Sequence, residues 1–326
     1  MSTMMKLSLG GTMMKLSLGA ALALALLAAP ADARAAGVMM DATELPAATR
    51  TALAQDIARA RAQTPDLFKQ VYDVAARANA TDQAARRQGI PLTMDFKALG
   101  PRALMPMIEM LAFDGHAPAD LTPSASQALR MGLVEAVGLV KDTRAVPVLA
   151  RVIARAQERE TDLDLAHVAA DALGRIGSDE AVAALNDALV ANQGNKEKTR
   201  AVLAGFGSAR RASSAKLLSK TLDAHPDDAT ARTAVKALGA VGNAWAWKTL
   251  GARQEEAATR EIAARALVRA YVAYGGDVRE AAAKAFLVVD HADAATMISE
   301  ARSRASQDNA SALDALAQRV SKNPTR

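Results

Sequence analysis

Cysteine is absent from all 326 residues of this chain. That absence excludes disulfides, Cys-ligated zinc, haem attached through CxxCH, a thiol nucleophile and a lipid anchor on an N-terminal cysteine. Aromatic residues are nearly as scarce, at 3%. They are too few to interleave with basic residues as base-stacking platforms, which disfavours nucleic-acid binding. The phosphate-cradling patterns GxGxxG and GxxxxGK[ST] are missing, as is the GxSxG nucleophile elbow. Beyond Pro30 no apolar run is long enough to span a bilayer. Charge of one dominant sign is lacking too: 40 Lys and Arg stand against 35 Asp and Glu, a formal +5 with a pI near 9.5. The two signs are interspersed, which reads as a solvated helical surface with a weak pull on anionic partners.

What the chain does have is alanine, with leucine and valine, in a composition that is 51% hydrophobic. Alanine loses no side-chain entropy in a helix, and period-2 alternation of β-branched residues is scarce, so the sequence predicts an all-α fold. Residues 1–33 read as a secretory signal peptide. Lys15 precedes the apolar run from Leu16 to Pro30, and Ala31-Asp32-Ala33 makes a small-x-small site with cleavage before Arg34. MMKLSLG occurs twice, at 4–10 and 13–19, so the start of translation is open between Met1 and Met13 or Met14. A periplasmic or secreted protein follows, with no stable membrane span after cleavage.

Residues 34–43 read as a flexible leader. Leu45, Leu53 and Ile57 mark a first helix, and Thr64-Pro65-Asp66 fits an N-cap with proline at the first helical position. Residues 34–120 form an N-terminal helical region, a cap or a degenerate repeat, in which Pro106 takes the place of Pro147. From 121 to 326 the text repeats. Gly138, Gly174, Gly205 and Gly239 close four apolar helices at intervals of 36, 31 and 34 residues, each followed by a turn and a second amphipathic helix. A fifth copy, 279–301, sits 48 residues beyond the fourth, and an added helix near Glu256–Tyr274 takes up the excess. The glycines permit close helix crossing or a left-handed cap. Val146, Leu149 and Ile153, then Val182, Leu185 and Leu189, then Trp247 and Leu250, mark the buried face of the second helices.

AVPVLARVI and ADALGRIGSDEAVAALNDAL resemble HEAT repeats, in particular the short bacterial type also found in phycobilisome lyase-like proteins. The resemblance covers about 124–304. It implies a right-handed α-solenoid of stacked antiparallel helix pairs, HEAT/armadillo-like, whose second helices line a concave surface. It also implies a scaffold that binds partners rather than an enzyme. Two other readings follow from it: a structural subunit of an envelope complex, or a lyase-like protein acting on a chromophore-bearing partner.

Arg144, Arg151 and Arg155 share one side of a second helix, and Arg211 lies on the third copy. Together they suggest a groove for a protein partner with an acidic segment. Trp245 falls opposite the core position Trp247, either as an exposed anchor for that partner or packed against the added helix around Tyr271. His116, His167, His225 and His291 are scattered. Asp290-His291 and Asp293 occupy a predicted turn, where such residues serve as caps. No catalytic, metal or cofactor constellation is expected.

Overall fold

A computed structural model describes residues 36–84, 92–114, 118–157, 159–250 and 253–323. The signal-peptide reading, His116 and Pro91 lie outside these residues. Among the described residues the chain is all-α, with no strand. Its helices are α1 (Ala47–Gln63), α2 (Pro65–Ala76), α3 (Ala78–Ala84), α4 (Thr93–Ala98), α5 (Leu104–Ala112), α6 (Pro123–Val140), α7 (Val146–Arg155), α8 (Glu160–Ile176) and α9 (Asp179–Ala191). They continue as α10 (Lys196–Phe206), α11 (Ala212–Asp223), α12 (Asp228–Val241), α13 (Ala244–Lys248), α14 (Glu256–Ala273), α15 (Gly276–Val289), α16 (Ala294–Arg302) and α17 (Gln307–Ser321).

The helices stack as an α-solenoid of HEAT-like pairs. The first helices α6, α8, α10, α12 and α15 pack on one another in chain order, and the second helices α7, α9, α11, α14 and α16 form a parallel layer behind them. Side-chain caps start four of the repeat helices, α6, α9, α10 and α12: Thr122, Ser178, Asn195 and Asp227 accept the N–H of Ala125, Ala181, Lys198 and Thr230 respectively. Each second helix drives an apolar stripe into the interlayer core. Val148, Leu149 and Ile153 are wholly buried, at roughly 2 kcal/mol of transfer free energy for each side chain.

The aligned glycines mark the closest approaches of the first layer. A Cβ on Gly174 would lie 2.1 Å from the carbonyl oxygen of Gly205, and one on Gly205 would lie 2.5 Å from that of Ala170. No side chain fits there, so α8 and α10 meet backbone to backbone. The left-handed caps are made elsewhere, by Gly177 at the end of α8 (φ 64°) and by Lys141 and Asp290 after α6 and α15.

Three sequence expectations are corrected. The leader is not free from residue 36 onward. The N–H groups of Val38 and Met39 donate to Met110 and Leu111 of α5, Met40 and Leu45 are buried, and Asp41 caps a 3-10 turn with Glu44 closing the capping box. Thr64 stands at the N-cap position before Pro65, but its hydroxyl donates backwards to the carbonyl of Ala60, so it ends α1 and leaves α2 without a side-chain cap. The fourth unit is also built differently. Its expected second helix shrinks to the five residues of α13, and α14 takes the second-layer place, packed on α11, α12, α15 and α16. The 48-residue spacing therefore records an insert within the pair, 243–255, rather than an added helix.

α5 starts in the same way as α7. A 3-10 turn, Pro101–Ala103, leads into α5 as Thr143–Ala145 leads into α7, and Pro106 and Pro147 both sit in the first helical turn where no intrahelical donor is needed.

Candidate functional site

The insert of the fourth unit is the feature that departs most from a plain repeat. Asn243 starts it, its side-chain oxygen accepting from the N–H groups of Trp245 (2.9 Å) and Ala246 (3.1 Å). Two tryptophans then follow at a spacing that puts them on opposite faces of a single helical turn. Trp247 is 2% exposed, and its indole N–H donates to the carbonyl of Val241 at 2.8 Å. Trp245 is 74% exposed, with the Lys248 ammonium 5.4 Å from its ring centroid. Of the two placements left open by the sequence, the structure takes the exposed one. Tyr271 is engaged elsewhere, its hydroxyl donating to Ala312 and its ring facing Arg279. The buried indole fixes the turn, and the turn presents the exposed indole.

The four arginines of the expected groove each meet a carboxylate of the same chain. Arg144 chelates Asp142 through Nε (3.0 Å) and Nη2 (2.7 Å), with Asp56 at 3.5 Å. Their hydrogen bond holds the Asp142 carboxyl below its usual range and raises Arg144. Arg151 and Arg155 both bind Glu44 of the N-terminal segment. Arg211 pairs with Asp179 at 2.6 Å and donates to the carbonyl of Gly177; its Nε lies 2.7 Å from Glu255, misaligned for a hydrogen bond. Arg144, Arg151 and Arg155 are thus brought to one surface with Glu44, Asp56 and Asp142, while Arg211 and Trp245 lie near the fourth-unit insert.

A second cluster joins α1, α2 and α5. Glu109 is 7% exposed and accepts from Arg61 and from the Tyr72 hydroxyl (3.2 Å), while the Arg61 guanidinium stacks 4.2 Å from the Phe68 ring centroid. Burial first, then the Glu109 charge, pushes the Tyr72 phenol up to about 12. Sequence reading missed this group because its members are 37 and 48 residues apart and share no motif.

Among the described residues no three His, Asp or Glu side chains are placed to hold a metal ion. His291 Nδ1 accepts the N–H of Asp293, as a turn former does, and burial lowers its pKa. His167 is exposed on α8. No helix among the described residues is long and apolar enough to cross a membrane.

No protein-family model and no curated protein matches the sequence. Among solved structures, human deoxyhypusine hydroxylase in complex with glycerol is similar, at 15% identity and a TM-score of 0.27, over 79% of this chain and 98% of that one. This corrects the expectation that the chain is not an enzyme, because an enzyme stands among the structures it is similar to. The likeness is too distant to bring any substrate or catalytic residue to this chain.

Proposed function

We propose that this chain is a helical-repeat scaffold of the cell envelope that binds a protein partner, with Trp245 as its anchor. The observation that supports the reading is the exposure of a tryptophan on a turn held in place by a buried one. A large apolar side chain offered to water at low conformational cost is the typical centre of an interaction hot spot. The signal-peptide reading of residues 1–33 supports a periplasmic or secreted location. The arginines contribute differently from a bare basic groove. An acidic segment of the partner would reach Arg144, Arg151, Arg155 or Arg211 by exchange with Asp142, Glu44 or Asp179.

A cross-linked capture from cell-envelope extract, using the full chain as bait, tests the reading. Trp245→Ala should weaken capture of the partner by roughly 30-fold, the loss expected of a hot-spot tryptophan, with an unchanged melting temperature. Equal capture by wild type and Trp245→Ala would remove Trp245 as the anchor. Of the finer resemblances, the phycobilisome lyase-like one would show itself as a coloured, bilin-bound preparation.

A further inference from the structure

Beside α13, the turns that follow α6, α8 and α10 border an open cleft of about 330 Å³. It is lined by Lys141, Arg175, Arg210 and Arg211, by Trp247 and Leu250, and by Glu255. Lys141 and Arg175 were not expected at any site, and Arg210 stood out in sequence only as a neighbour of Arg211 among the basic residues of the third copy. The carboxylates around them are unequally shared. Arg175 holds Asp171 (2.6 Å) and Glu135 (3.3 Å), and Arg211 holds Asp179 and lies beside Glu255. Among the described residues no carboxylate is paired with Arg210, and its Nε is buried without a hydrogen-bond partner. Arg210 also stands in the left-handed region (φ 43°), where a non-glycine residue is strained by about 1 kcal/mol.

We propose that this cleft is a binding site for a single carboxylate, with the Arg210 guanidinium as its receptor. Partial burial of a guanidinium costs free energy unless an acceptor meets it, and the planar fork of arginine matches the two oxygens of a carboxylate. Desolvation lowers the pKa of Arg210, the Asp171 charge opposes that shift and the neighbouring Arg175 adds to it, as expected of a cation short of a partner. The charge balance sets the class of ligand. Four carboxylates, Glu135, Asp171, Asp179 and Glu255, already balance the four cations, so the cleft has no surplus charge to compensate a dianion, and a singly charged ligand, which costs less to desolvate, is favoured over phosphate. Trp247 and Leu250 give the ligand's apolar portion a wall. The site goes beyond the partner-binding reading and stands without Trp245.

The test is a titration of the full chain with sodium benzoate at constant ionic strength. The readout is the arginine Nε–H resonances, with the Arg210 signal assigned by its loss in Arg210→Asn, a residue that tolerates the left-handed backbone. Benzoate should shift that signal saturably, benzamide should leave it unmoved, and inorganic phosphate should bind more weakly. Affinity should fall at least roughly tenfold in Arg210→Asn, the loss expected for a charge-assisted pair. N-acetyl-aspartate amide then separates the sources. Tighter binding than benzoate marks an acidic side chain of a protein, and weaker binding marks a free small acid; both support the site. Overturning results are no saturable shift with any carboxylate, an equal response to benzamide, a preference for phosphate, or unchanged affinity in a folded Arg210→Asn. Where Arg210→Asn fails to fold, Arg210→Lys, which keeps the positive charge, supplies the assignment, and the wild-type titration against benzamide then decides the matter.

Discussion

Arg151 and Glu44 lie 107 residues apart in sequence and are joined side chain to side chain, Nε and Nη2 of the arginine both donating to one oxygen of the carboxylate at 3.0 and 2.8 Å. Arg155 takes the other oxygen. The segment carrying Glu44 also bonds the end of α5, so a stretch that reads as a loose leader ties the N-terminal helices to the first full repeat.

Burial alone would raise the Glu44 carboxyl, but hydrogen bonds from Arg155 and Arg151 outweigh it and hold the group below 4.5. Its contribution to stability is therefore complete above pH 4.5 and is lost as pH falls through the lowered folded value. The guanidinium side chains are 39% and 41% exposed, and solvent screens the pair accordingly. Glu44→Gln should cost about 1 kcal/mol at pH 7, with the gap to wild type closing in urea melts at pH 3. A gap that is the same at both pH values would show that the pair has no electrostatic part.

Gly174→Ala should destabilise the protein, although alanine is the better helix former by about 1 kcal/mol. The new methyl would meet the Gly205 carbonyl at 2.1 Å, and α8 and α10 would have to part. A net loss of about 2 kcal/mol is expected, since overpacking outweighs propensity. Gly194 is the control. A Cβ there meets nothing within 4 Å, and Gly194→Ala should be neutral or slightly stabilising by chemical denaturation. Loss at both positions would mean that backbone freedom, rather than crossing distance, is what the glycines supply.

The helix-pair architecture was legible because Gly138, Gly174, Gly205 and Gly239 recur with an apolar stripe behind each, and one pair cannot bury that stripe alone. The burial of Trp247 and the turn role of His291 were legible for the same reason, position within a repeat. The parts that were not legible depend on relations the repeat does not encode. Glu44 meets Arg151 only through the path of the N-terminal segment. The shortness of α13 depends on Asn243 capping one turn and on Arg253 taking the carbonyl of Lys248, so the second-layer role passes to α14. Arg210 reads in sequence only as one of the basic residues of the third copy, since its isolation follows from where the carboxylates of α6, α8 and α9 settle.

Tyr72 should resist ionisation. With its phenol pushed up to about 12 by burial and by the Glu109 charge, its absorbance step at 295 nm should be missing below pH 11 and appear in Glu109→Gln at a lower pH. Because the folded value lies above the ordinary 10.0, stability from this group is present below pH 10 and is lost between there and about 12. Comparison with Tyr72→Phe assigns the step among the three tyrosines. An unchanged step in Glu109→Gln would leave burial, with the Asp114 charge, as the cause.

The two tryptophans give the sharpest check on the fourth-unit insert, because the chain has no others. Trp245→Phe leaves the buried indole, so emission should be blue-shifted and poorly quenched by acrylamide. Trp247→Phe leaves the exposed one, and emission should move to the red with near-complete quenching. Stability should divide the same way. Trp247→Phe removes the hydrogen bond to Val241 and part of the packing, at a cost of about 1 to 2 kcal/mol. Trp245→Phe changes only a water-facing ring and should stay within about 0.5 kcal/mol. If Trp245→Phe proved as damaging as Trp247→Phe, its ring would be part of the core and not a surface offered to a partner. If it proves neutral, the same Trp247→Phe variant becomes the binding assay, since a docked partner must shift the emission of the one indole that remains.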